Sequence, residues 1–505
     1  MKHILKILTN KIIISGLIIV AQFLLVLYYV RELMFAYSFI YIFMMILSLL
    51  LVIWVVNRDE NPSYGMAWSI VILIFPPLGA VVYLLMGGRK APIELRERIT
   101  ESFEGFEMLQ DLDVVDDLNR NHPTVLKQSK YIYNSSHFPI YRARKAVYLE
   151  SGEKKFEAML SEIKKAEKFI FLEYFIIKDG YMWQTLRKAL KEKIDEGVDV
   201  RLIYDDWGTA GFKDLKMQCD EIGIKTVVFN PIKPKLAITM NNRSHRKACI
   251  VDGRSAIVGG MNIADEYINK IERFGHWKDT AVLFEGEAVY SLTLMFLQFY
   301  RYYTKIYENP KNFKYNFDFP NKDKGFVQVF ADAPTDNQDV GLDSHLNLIN
   351  NAQDYVYIQT PYLIVGYEMI KALSLAAQSG VDVRIIVPGI PDKKIVNQVT
   401  KSNYEALIKN GVKIYEYTPG FVHSKTIVAD DEICLIGTTN MDFRSYYIHY
   451  ESTVLFVNHQ VVQDCLKDVQ DTFEISHLVQ LEEVMSTPYF LRLFRGMIRI
   501  FSGLL

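Results

Sequence analysis

The chain begins with three long apolar stretches, a pattern that the rest of the sequence does not repeat. Residues 12–30 and 37–56 are almost wholly apolar, and each is long enough for a helix that spans a bilayer. Residues 65–85 are also apolar but contain Pro76 and Pro77, which predicts either a kinked span or a re-entrant segment. Two long apolar runs in succession do not fit a cleaved signal peptide. The pattern predicts a helical membrane anchor of two or three segments.

After residue 130 the pattern changes to short apolar runs separated by amphipathic stretches, and this arrangement occurs twice. Residues 168–175 and 354–362 have the composition of buried strands, and a helical pattern follows each of them. Residues 197–203 and 380–386 are identical at six of seven positions. Strands that alternate with helices, in two copies, predict the α/β class. We expect two domains related by a pseudo-two-fold axis, each with a mixed β-sheet flanked by helices.

These patterns divide the chain into five parts. They are a membrane anchor (1–87), a charged linker or collar (88–130), a first α/β domain (131–320), a second α/β domain (321–480) and a tail (481–505). The tail has three arginines among apolar residues at helical spacing. It predicts either a basic amphipathic helix on a membrane surface or a terminal helix packed against the core.

Charge and cysteine content exclude several classes of function. The formal net charge of the 505 residues is -2, so there is no basic excess typical of a nucleic-acid-binding protein. The four cysteines are scattered without metal-ligand spacing, which predicts free thiols in a reducing compartment, with no metal site and no disulfide framework. Basic residues before the first apolar stretch and after the third favour a cytoplasmic position for the large domains when the anchor has two spans.

One short motif occurs in both copies and contains the candidate chemistry. It reads H-x-K-x-x-x-x-D, and a Gly-x-x-Asn step follows at the same distance in each copy. Its members are His245, Lys247, Asp252 and Asn262 in the first copy, and His423, Lys425, Asp430 and Asn440 in the second. A histidine and a lysine two positions apart project from the same face of a strand. Two such strands would bring two imidazoles, two ammonium groups and two amides together, a site suited to phosphoryl transfer.

At these motifs the sequence resembles the phospholipase D superfamily, and within it the bacterial cardiolipin synthases. The resemblance runs from about residue 61 to the C-terminus. Its segments are residues 61–63, 259–267, 274–280, 360–362 and 437–445. The sequence departs from the family at Val365-Gly366, where Pro-Asp is common, and at His449, where Asn is common.

The resemblance implies a two-step transfer of a phosphatidyl group that needs no metal and no cofactor. It implies that His245 is the nucleophile and His423 the general acid and base, an assignment that the near-symmetric motifs themselves leave open. The groups expected to bind the non-bridging phosphate oxygens are Lys247, Lys425, Asn262 and Asn440. Asp279 and Glu451 occupy equivalent positions at the following strands, and each is expected to orient a histidine. Asp252 and Asp430 are included among the candidate catalytic residues as members of the motif, although their main expected role is to brace the turn after the strand.

The implied substrate is phosphatidylglycerol, and the implied products are cardiolipin and glycerol. The expected partner is therefore a lipid bilayer, with the protein a multi-pass protein of the cell membrane whose catalytic domains face the cytoplasm. Two alternatives share the reaction class: a phospholipase D that uses water, and a transferase that uses another alcohol. A nuclease on the same fold is disfavoured by the apolar N-terminus and the absent basic excess, so nucleic acid is not an expected partner. A structural protein with a vestigial site is disfavoured because both motifs are complete.

Overall fold

The structure is a computed structural model that describes residues 38–58, 61–87, 108–232, 241–317, 323–335 and 338–504, with a few positions between 21 and 32. The predicted first apolar span, residues 12–30, lies largely outside the described residues. So does most of the predicted linker before residue 108.

Three helices form the described part of the predicted anchor. They are α1 (Ser38–Val56), α2 (Pro62–Ile74) and α3 (Pro76–Met86). The third apolar stretch is broken at Phe75, because the prolines that follow cannot continue the hydrogen-bond ladder of α2 and instead begin α3. The helices pack around a small shared core that includes Tyr64, Trp68 and Tyr83. Within the part of the chain that is described, no helix combines the length and the apolarity needed to cross a membrane.

The described part of residues 112–304 contains six α-helices and nine strands. The helices are α4 (Leu112–Asn121), α5 (Pro123–Ser136), α6 (Gly152–Lys164), α7 (Tyr181–Asp195), α8 (Leu215–Ile222) and α9 (Val289–Thr304). The strands are β1 (Ile140–Arg142), β2 (Ala146–Leu149), β3 (Phe169–Tyr174), β4 (Asp199–Asp205), β5 (Lys225–Phe229), β6 (Ala248–Val251), β7 (Ser255–Gly259), β8 (His276–Lys278) and β9 (Ala281–Glu285). Seven of these strands form the first sheet, in the order β2-β9-β7-β6-β3-β4-β5.

The second half repeats this plan. Its strands are β10 (Phe326–Asp332), β11 (Tyr355–Gln359), β12 (Leu363–Ile364), β13 (Asp382–Pro388), β14 (Lys413–Tyr417), β15 (Gly420–Val422), β16 (Thr426–Ala429), β17 (Ile433–Gly437), β18 (Met441–Asp442), β19 (Glu451–Val457) and β20 (Ser476–Leu478). Its helices are α10 (Val340–Asn351), α11 (Tyr367–Gln378), α12 (Lys394–Ser402), α13 (Tyr404–Ile408), α14 (Phe443–Tyr447), α15 (Gln460–Glu474), α16 (Leu481–Met485) and α17 (Tyr489–Ile500).

The two sheets have matching strand orders, which confirms the predicted α/β class with two repeated domains. The second sheet reads β1-β10-β19-β17-β16-β11-β13-β14-β20, so it adds only the edge strands β1 and β20 to the common order. In each sheet three consecutive strands, β3-β4-β5 and β11-β13-β14, are parallel to one another, and the other neighbouring pairs are antiparallel, as expected for a mixed sheet. The sheets meet around Phe284 and Phe456, whose ring centroids lie 6.3 Å apart. This packing brings equivalent loops of both domains to one interface.

The segment before the first sheet packs on the second domain. The strand β1 pairs with β10, and Gln128 in α5 donates a hydrogen bond to the carbonyl of Ser344 at 3.2 Å. The predicted boundary between residues 130 and 131 therefore falls inside α5, and the predicted boundary at 320 lies outside the described residues. A charge pattern shows that one side of a segment faces water, but it does not indicate which domain the apolar side covers.

Candidate active site

Both motif histidines lie in extended segments that lead into buried strands. The strand β6 begins at Ala248 and β16 at Thr426, so the expectation that the histidine and lysine are part of the strand is wrong in this detail. The reason is that each leading segment pairs with the other domain. The backbone N–H of His245 donates to the carbonyl of Tyr450 at 2.9 Å, and that of His423 donates to the carbonyl of Lys278 at 2.7 Å. Short parallel pairings between the domains thus hold both imidazoles at the interface.

Each imidazole contacts a carboxylate from the opposite domain. The Nδ1 atom of His245 lies 3.0 Å from both carboxylate oxygens of Glu451, and Nδ1 of His423 lies 2.7 Å from Oδ2 of Asp279. Both carboxylates are fully buried. A carboxylate at Nδ1 fixes the proton of a neutral imidazole on that nitrogen and leaves the Nε2 lone pair free to react. The structure therefore contains two His–carboxylate dyads, each shared between the two domains.

Burial and the neighbouring lysines keep both imidazoles neutral. Burial lowers the pKa of His423 to about 4, with the charge of Lys425 acting in the same direction and Asp279 opposing it. Burial also lowers the pKa of His245 well below its usual value, and the charges of Lys247 and Lys425 add to this effect. A neutral imidazole is the form that attacks phosphorus. A bound phosphodiester, being negative, raises the pKa of the imidazole that must protonate the leaving group.

The two motif lysines are buried beside their own histidines. Lys247 Nζ donates to the carbonyl of His245 at 2.5 Å, and Lys425 Nζ donates to the carbonyl of His423. Burial lowers the pKa of Lys425 to about 8, although Asp279 and Glu451 oppose the change, and burial lowers the pKa of Lys247 well below its ordinary value. An ammonium group has three N–H bonds, so each lysine keeps donors for a phosphate oxygen.

The two motif asparagines hold neighbouring loops through their side-chain amides. Asn262 Oδ1 accepts from the backbone N–H of Ile176 at 3.0 Å, and its Nδ2 donates to the hydroxyl of Tyr267 at 2.8 Å. Asn440 Nδ2 donates to Asp442 at 3.2 Å. Because an amide nitrogen has two N–H bonds, each asparagine retains one donor beyond these contacts, as the predicted phosphate-binding role requires.

The aspartates of the motif lie away from the imidazoles, at the opposite ends of β6 and β16. Asp252 accepts three backbone N–H bonds, each of 2.8 Å, from Glu167, Lys168 and Phe169 at the start of β3. Asp430 accepts three equivalent bonds, of 2.7–2.9 Å, at the start of β11. Both aspartates have positive φ angles, 55° and 53°, in the turn that follows the strand. Their inclusion among the candidate catalytic residues is not supported by this geometry, whereas the expected bracing of the turn is.

Sequence reasoning missed a threonine that supports one of the dyads. Thr438 Oγ1 donates to Glu451 Oε2 at 2.5 Å. The equivalent position of the first copy is Gly260, where a Cβ atom would lie only 2.2 Å from Asp279 Oδ1. Aligning the two Gly-x-x-Asn steps would have pointed to this residue. At the equivalent position one copy has glycine, which has no side chain, and the other has threonine, whose hydroxyl can bond to a carboxylate.

Lys155 is a buried lysine near the site that belongs to neither motif. Lys155, in α6, donates to the carbonyl of Met261 at 2.9 Å, and burial lowers its pKa to about 8. In the sequence it is one of several lysines in an amphipathic helix, so its burial was not predictable from the pattern.

Among the described residues, one group has side chains of the types that bind metal ions: His245, His449 and Glu451. Their ligand atoms lie within 4.8 Å of one another. The hydrogen bonding of His449 opposes this use. Arg444 Nε donates to His449 Nε2 at 3.3 Å, so the proton of the neutral ring lies on Nδ1, the nitrogen that faces Glu451. The arrangement therefore favours a hydrogen-bonded cluster over a metal centre.

Comparisons with known proteins show the family of the chain. A family described as "Cardiolipin synthase, PLD-like domain" matches residues 159–273 and 345–473, and "Phospholipase_D-nuclease N-terminal" matches residues 46–88. The chain is 42% identical over 428 residues to an uncharacterized protein of Streptococcus mutans, covering 84% of this chain and 92% of that protein. It is 32% identical over 453 residues to a cardiolipin synthase of Geobacillus kaustophilus, covering 89% of this chain and 90% of the relative.

The fold has a counterpart among solved structures. The phosphatidylserine synthase of Haemophilus influenzae superimposes with a TM-score of 0.57 at 14% sequence identity, covering 75% of this chain and 99% of that chain. At this level of identity the likeness concerns the fold alone.

Proposed function

The chain belongs to the cardiolipin synthase family of phospholipase D-like enzymes, and from this premise we propose that it joins two phosphatidylglycerol molecules into cardiolipin and releases glycerol. The observation that supports the chemistry best is the pair of dyads, His245 with Glu451 and His423 with Asp279, buried at one interface between the domains.

In the first step, Nε2 of His245 attacks the phosphorus of one phosphatidylglycerol. The bond from phosphorus to the glycerol headgroup breaks, and His423 gives its Nε2 proton to the departing alkoxide. The product is glycerol together with a phosphatidyl group covalently bound to His245. The ammonium groups of Lys247 and Lys425 stabilise the negative charge that develops on the non-bridging oxygens.

In the second step, the headgroup hydroxyl of another phosphatidylglycerol gives its proton to His423 and attacks the same phosphorus. The bond between phosphorus and His245 breaks, which restores the neutral imidazole and releases cardiolipin. Water in place of the second lipid would give phosphatidic acid, and another alcohol would give a different phospholipid. The choice of acceptor therefore depends on which hydroxyl reaches His423.

We further propose that the enzyme is held at a bilayer by its N-terminal helices and its tail, with the catalytic domains on the cytoplasmic side. In α1, large apolar side chains such as Phe39, Ile42 and Leu50 are more than half exposed. In α17, Tyr489 and Phe490 are each 81% exposed. Such a face is unfavourable in water and favourable among lipid chains. Of the two expectations for the tail, an interfacial helix is favoured over one packed against the core, because none of the residues of α17 is buried.

The N-terminal helices are tied to the second domain close to its motif. Asn61 caps α2 and donates to the hydroxyl of Tyr447 at 2.7 Å. Tyr447 ends α14, which begins just after Asn440 and Asp442 of the second motif. This connection supports the proposal that the lipid-facing helices and the catalytic site act as one unit.

The test is to incubate the purified full-length protein with phosphatidylglycerol alone and to identify the products by mass spectrometry. We expect cardiolipin and glycerol, with loss of both in the His245→Ala variant. Phosphatidic acid as the main product would replace the proposal with a phospholipase D. Absence of any product, with the protein folded, would refute the phosphatidyl-transfer function.

Acid quenching during turnover tests the roles of the histidines. We expect a phosphatidyl adduct on His245, and an adduct on His423 would exchange the two roles while leaving the reaction class unchanged.

A further inference from the structure

One residue at the site belongs to neither motif and breaks the symmetry between the two dyads. His449 lies two positions before Glu451, and its ring centroid is 5.4 Å from that of the nucleophile His245. The equivalent residue of the first copy is Trp277, two positions before Asp279, with its ring centroid 5.3 Å from that of His423. Each catalytic imidazole thus has a ring beside it, but only the one beside His245 has two nitrogens.

The hydrogen bonding of His449 determines which way its proton faces. Arg444 Nε is a donor only, so Nε2 of His449 accepts its bond at 3.3 Å, and the neutral ring has its proton on Nδ1. Burial lowers the pKa of His449 to about 3, so the ring is neutral at working pH. Nδ1 lies 3.7 Å from Glu451 Oε1 and has no hydrogen-bond partner among the described residues. The acceptor it faces is therefore the carboxylate of the His245 dyad.

Glu451 thus has more than one donor around it. Thr438 donates to Oε2, His245 Nδ1 lies 3.0 Å from both oxygens, and His449 Nδ1 lies beyond them at 3.7 Å. A buried N–H without a partner is costly, so a small movement that closes the last gap is favoured. Every additional donor draws on the negative charge that Glu451 would otherwise offer to a protonated His245.

We propose that His449 is a positioning residue: held by Arg444, it directs an N–H at Glu451 and so weakens the hold of this carboxylate on the protonated form of His245. The consequence is that His245 stays neutral and ready to attack phosphorus, while Asp279, which also accepts the backbone N–H of Thr280 at 2.9 Å, has Trp277 instead of a second histidine at the equivalent position. This inference rests on the proposed assignment of His245 as the nucleophile. It also explains physically why asparagine is common in the family where this chain has His449. The amide oxygen of an asparagine there would accept from Arg444, and its amide nitrogen would donate to Glu451.

The other charged groups around the dyad act on His245 in known directions. The charges of Lys247, Lys425 and His423 lower the pKa of His245, as does burial, which is the largest cause. Arg444 faces His449 from the side away from Glu451 and acts through the tautomer it fixes. Removal of the His449 N–H leaves these groups in place, so a change in the titration of His245 reports the lost donor.

The test measures how readily His245 reacts with diethyl pyrocarbonate as a function of pH, with the modified peptide quantified by mass spectrometry. The reagent attacks neutral imidazole and needs no lipid. In the full-length His449→Phe variant, which keeps a ring but lacks the donor, we expect the midpoint of the His245 profile to rise by about half a pH unit or more. Since one unit is a tenfold change in the protonation equilibrium, this corresponds to a roughly threefold lower rate of modification on the acid limb.

The matched variants separate the donor from the packing. His449→Asn restores an acceptor and a donor and should keep the wild-type midpoint. His345→Phe removes another buried histidine, one that bonds the hydroxyl of Tyr446 at 2.9 Å, and should also leave the midpoint in place. His449→Leu serves if the Phe variant does not fold.

An unchanged or lowered midpoint in the folded Phe or Leu variant would overturn the proposal, as would an Asn variant that shifts as far as Phe. Because the readout involves no substrate, it stands apart from the identity of the lipid product. A protein that made no cardiolipin but showed the expected shift would refute the proposed function and retain the role of His449 in the titration of His245.

Discussion

At the scale of single residues, the site combines groups whose charges are set by burial. Two imidazoles with lowered pKa values lie between two lysines whose pKa values burial also lowers. In the proposed mechanism the lysines supply the positive charge that stabilises a bound phosphodiester. Their charge is therefore the property of the site most open to change by pH.

The first prediction concerns the alkaline limb of the reaction. Burial lowers the pKa of Lys425 to about 8, so its ammonium loses its proton, and its hold on phosphate, as pH rises through that value. We expect kcat/KM for phosphatidylglycerol to fall above about pH 8. In Lys425→Arg the limb should move to higher pH, because a guanidinium stays charged. The measurement is kcat/KM between about pH 6 and 11, a range that spans the ordinary and the lowered lysine pKa values.

Control variants show which lysine causes the alkaline limb of the kcat/KM profile. Lys154→Arg, at an exposed position of α6, should leave it in place. Lys155, with the same lowered pKa of about 8, and Lys247, whose pKa burial also lowers, are the competing sources of this limb. A limb that moved only in Lys155→Arg or only in Lys247→Arg would be assigned to that residue instead of Lys425.

At the scale of elements, the same H-x-K-x-x-x-x-D motif serves both chemistry and folding. The leading segment brings His and Lys to the interface between the domains, while the aspartate at the far end of the short strand fastens the start of the neighbouring strand. A sequence motif of eight residues is thus divided by β6 or β16 into a catalytic end and a structural end.

The second prediction follows from this division. Asp252→Ala removes the acceptor of three backbone N–H groups at the start of β3, and we expect the free energy of unfolding to fall by about 2–4 kcal/mol. At a temperature where the variant is folded, kcat/KM should stay close to the wild-type value. Denaturant unfolding in detergent and the cardiolipin assay measure the two effects. The control is Asp220→Ala, which removes an exposed ion pair with Lys216 and should change stability little.

A large loss of kcat/KM in the folded Asp252→Ala protein would contradict the structural role. Asp430→Ala in the second copy provides an independent repeat of the same comparison.

The third prediction concerns α17. One side of this helix is fixed to the second domain, where Arg492 contacts Glu405 at 3.0 Å and Arg495 donates to Gln398 at 2.9 Å. The other side leaves Phe490 exposed, and we expect that face to enter the lipid. A nitroxide attached at Phe490→Cys in the full-length protein, in phosphatidylglycerol vesicles, should be more accessible to oxygen than to a polar nickel complex.

Labelling is selective because the four native cysteines are buried. The control site is Met217→Cys, an exposed position of α8 in the first domain, where we expect the opposite preference. Equal behaviour of the two sites would exclude contact of α17 with the bilayer.

At the scale of the whole molecule, the docking of the domains completes the site. Neither domain contains a complete dyad, because His245 takes its carboxylate from residue 451 and His423 takes its carboxylate from residue 279. The two sheets must therefore pack before either imidazole is oriented. Because the two domains are repeats of one another, equivalent loops form both dyads across the interface.

The fourth prediction is that each dyad acts as one unit across the interface. Glu451→Gln removes the charge that orients His245, and we expect kcat to fall by about 10²–10⁴-fold. Addition of Glu451→Gln to His245→Ala should cost little more, because both changes disable the same unit. A different pairing would be indicated by two results together. In the Glu451→Gln/His245→Ala double variant, kcat would fall by the product of the two single losses. In the Asp279→Asn/His245→Ala double variant, kcat would fall little below that of His245→Ala.

Much of this protein is determined by its sequence, because the relevant signals are local. Hydrophobic periodicity identifies strands and helices residue by residue, and the near-identity of residues 197–203 and 380–386 reveals the repeat. Two equivalent H-x-K-x-x-x-x-D motifs identify the imidazoles, the lysines and the reaction class. The apolar stretches at the start of the chain are likewise visible without a structure.

Only the tertiary structure decided which of these groups meet. The dyads join residues 206 and 144 positions apart, and their pairing depends on how two finished domains dock. Asp252 and Asp430 are separated from the imidazoles by the short strands of their own motifs, β6 and β16, whereas the docking of the domains sets His449 beside His245. It also attaches β1 to the second sheet although it precedes the first. A pattern along the chain reports which face of an element is buried, but the partner across that face is fixed by packing among distant segments, and it is this packing that turned two motifs into one site.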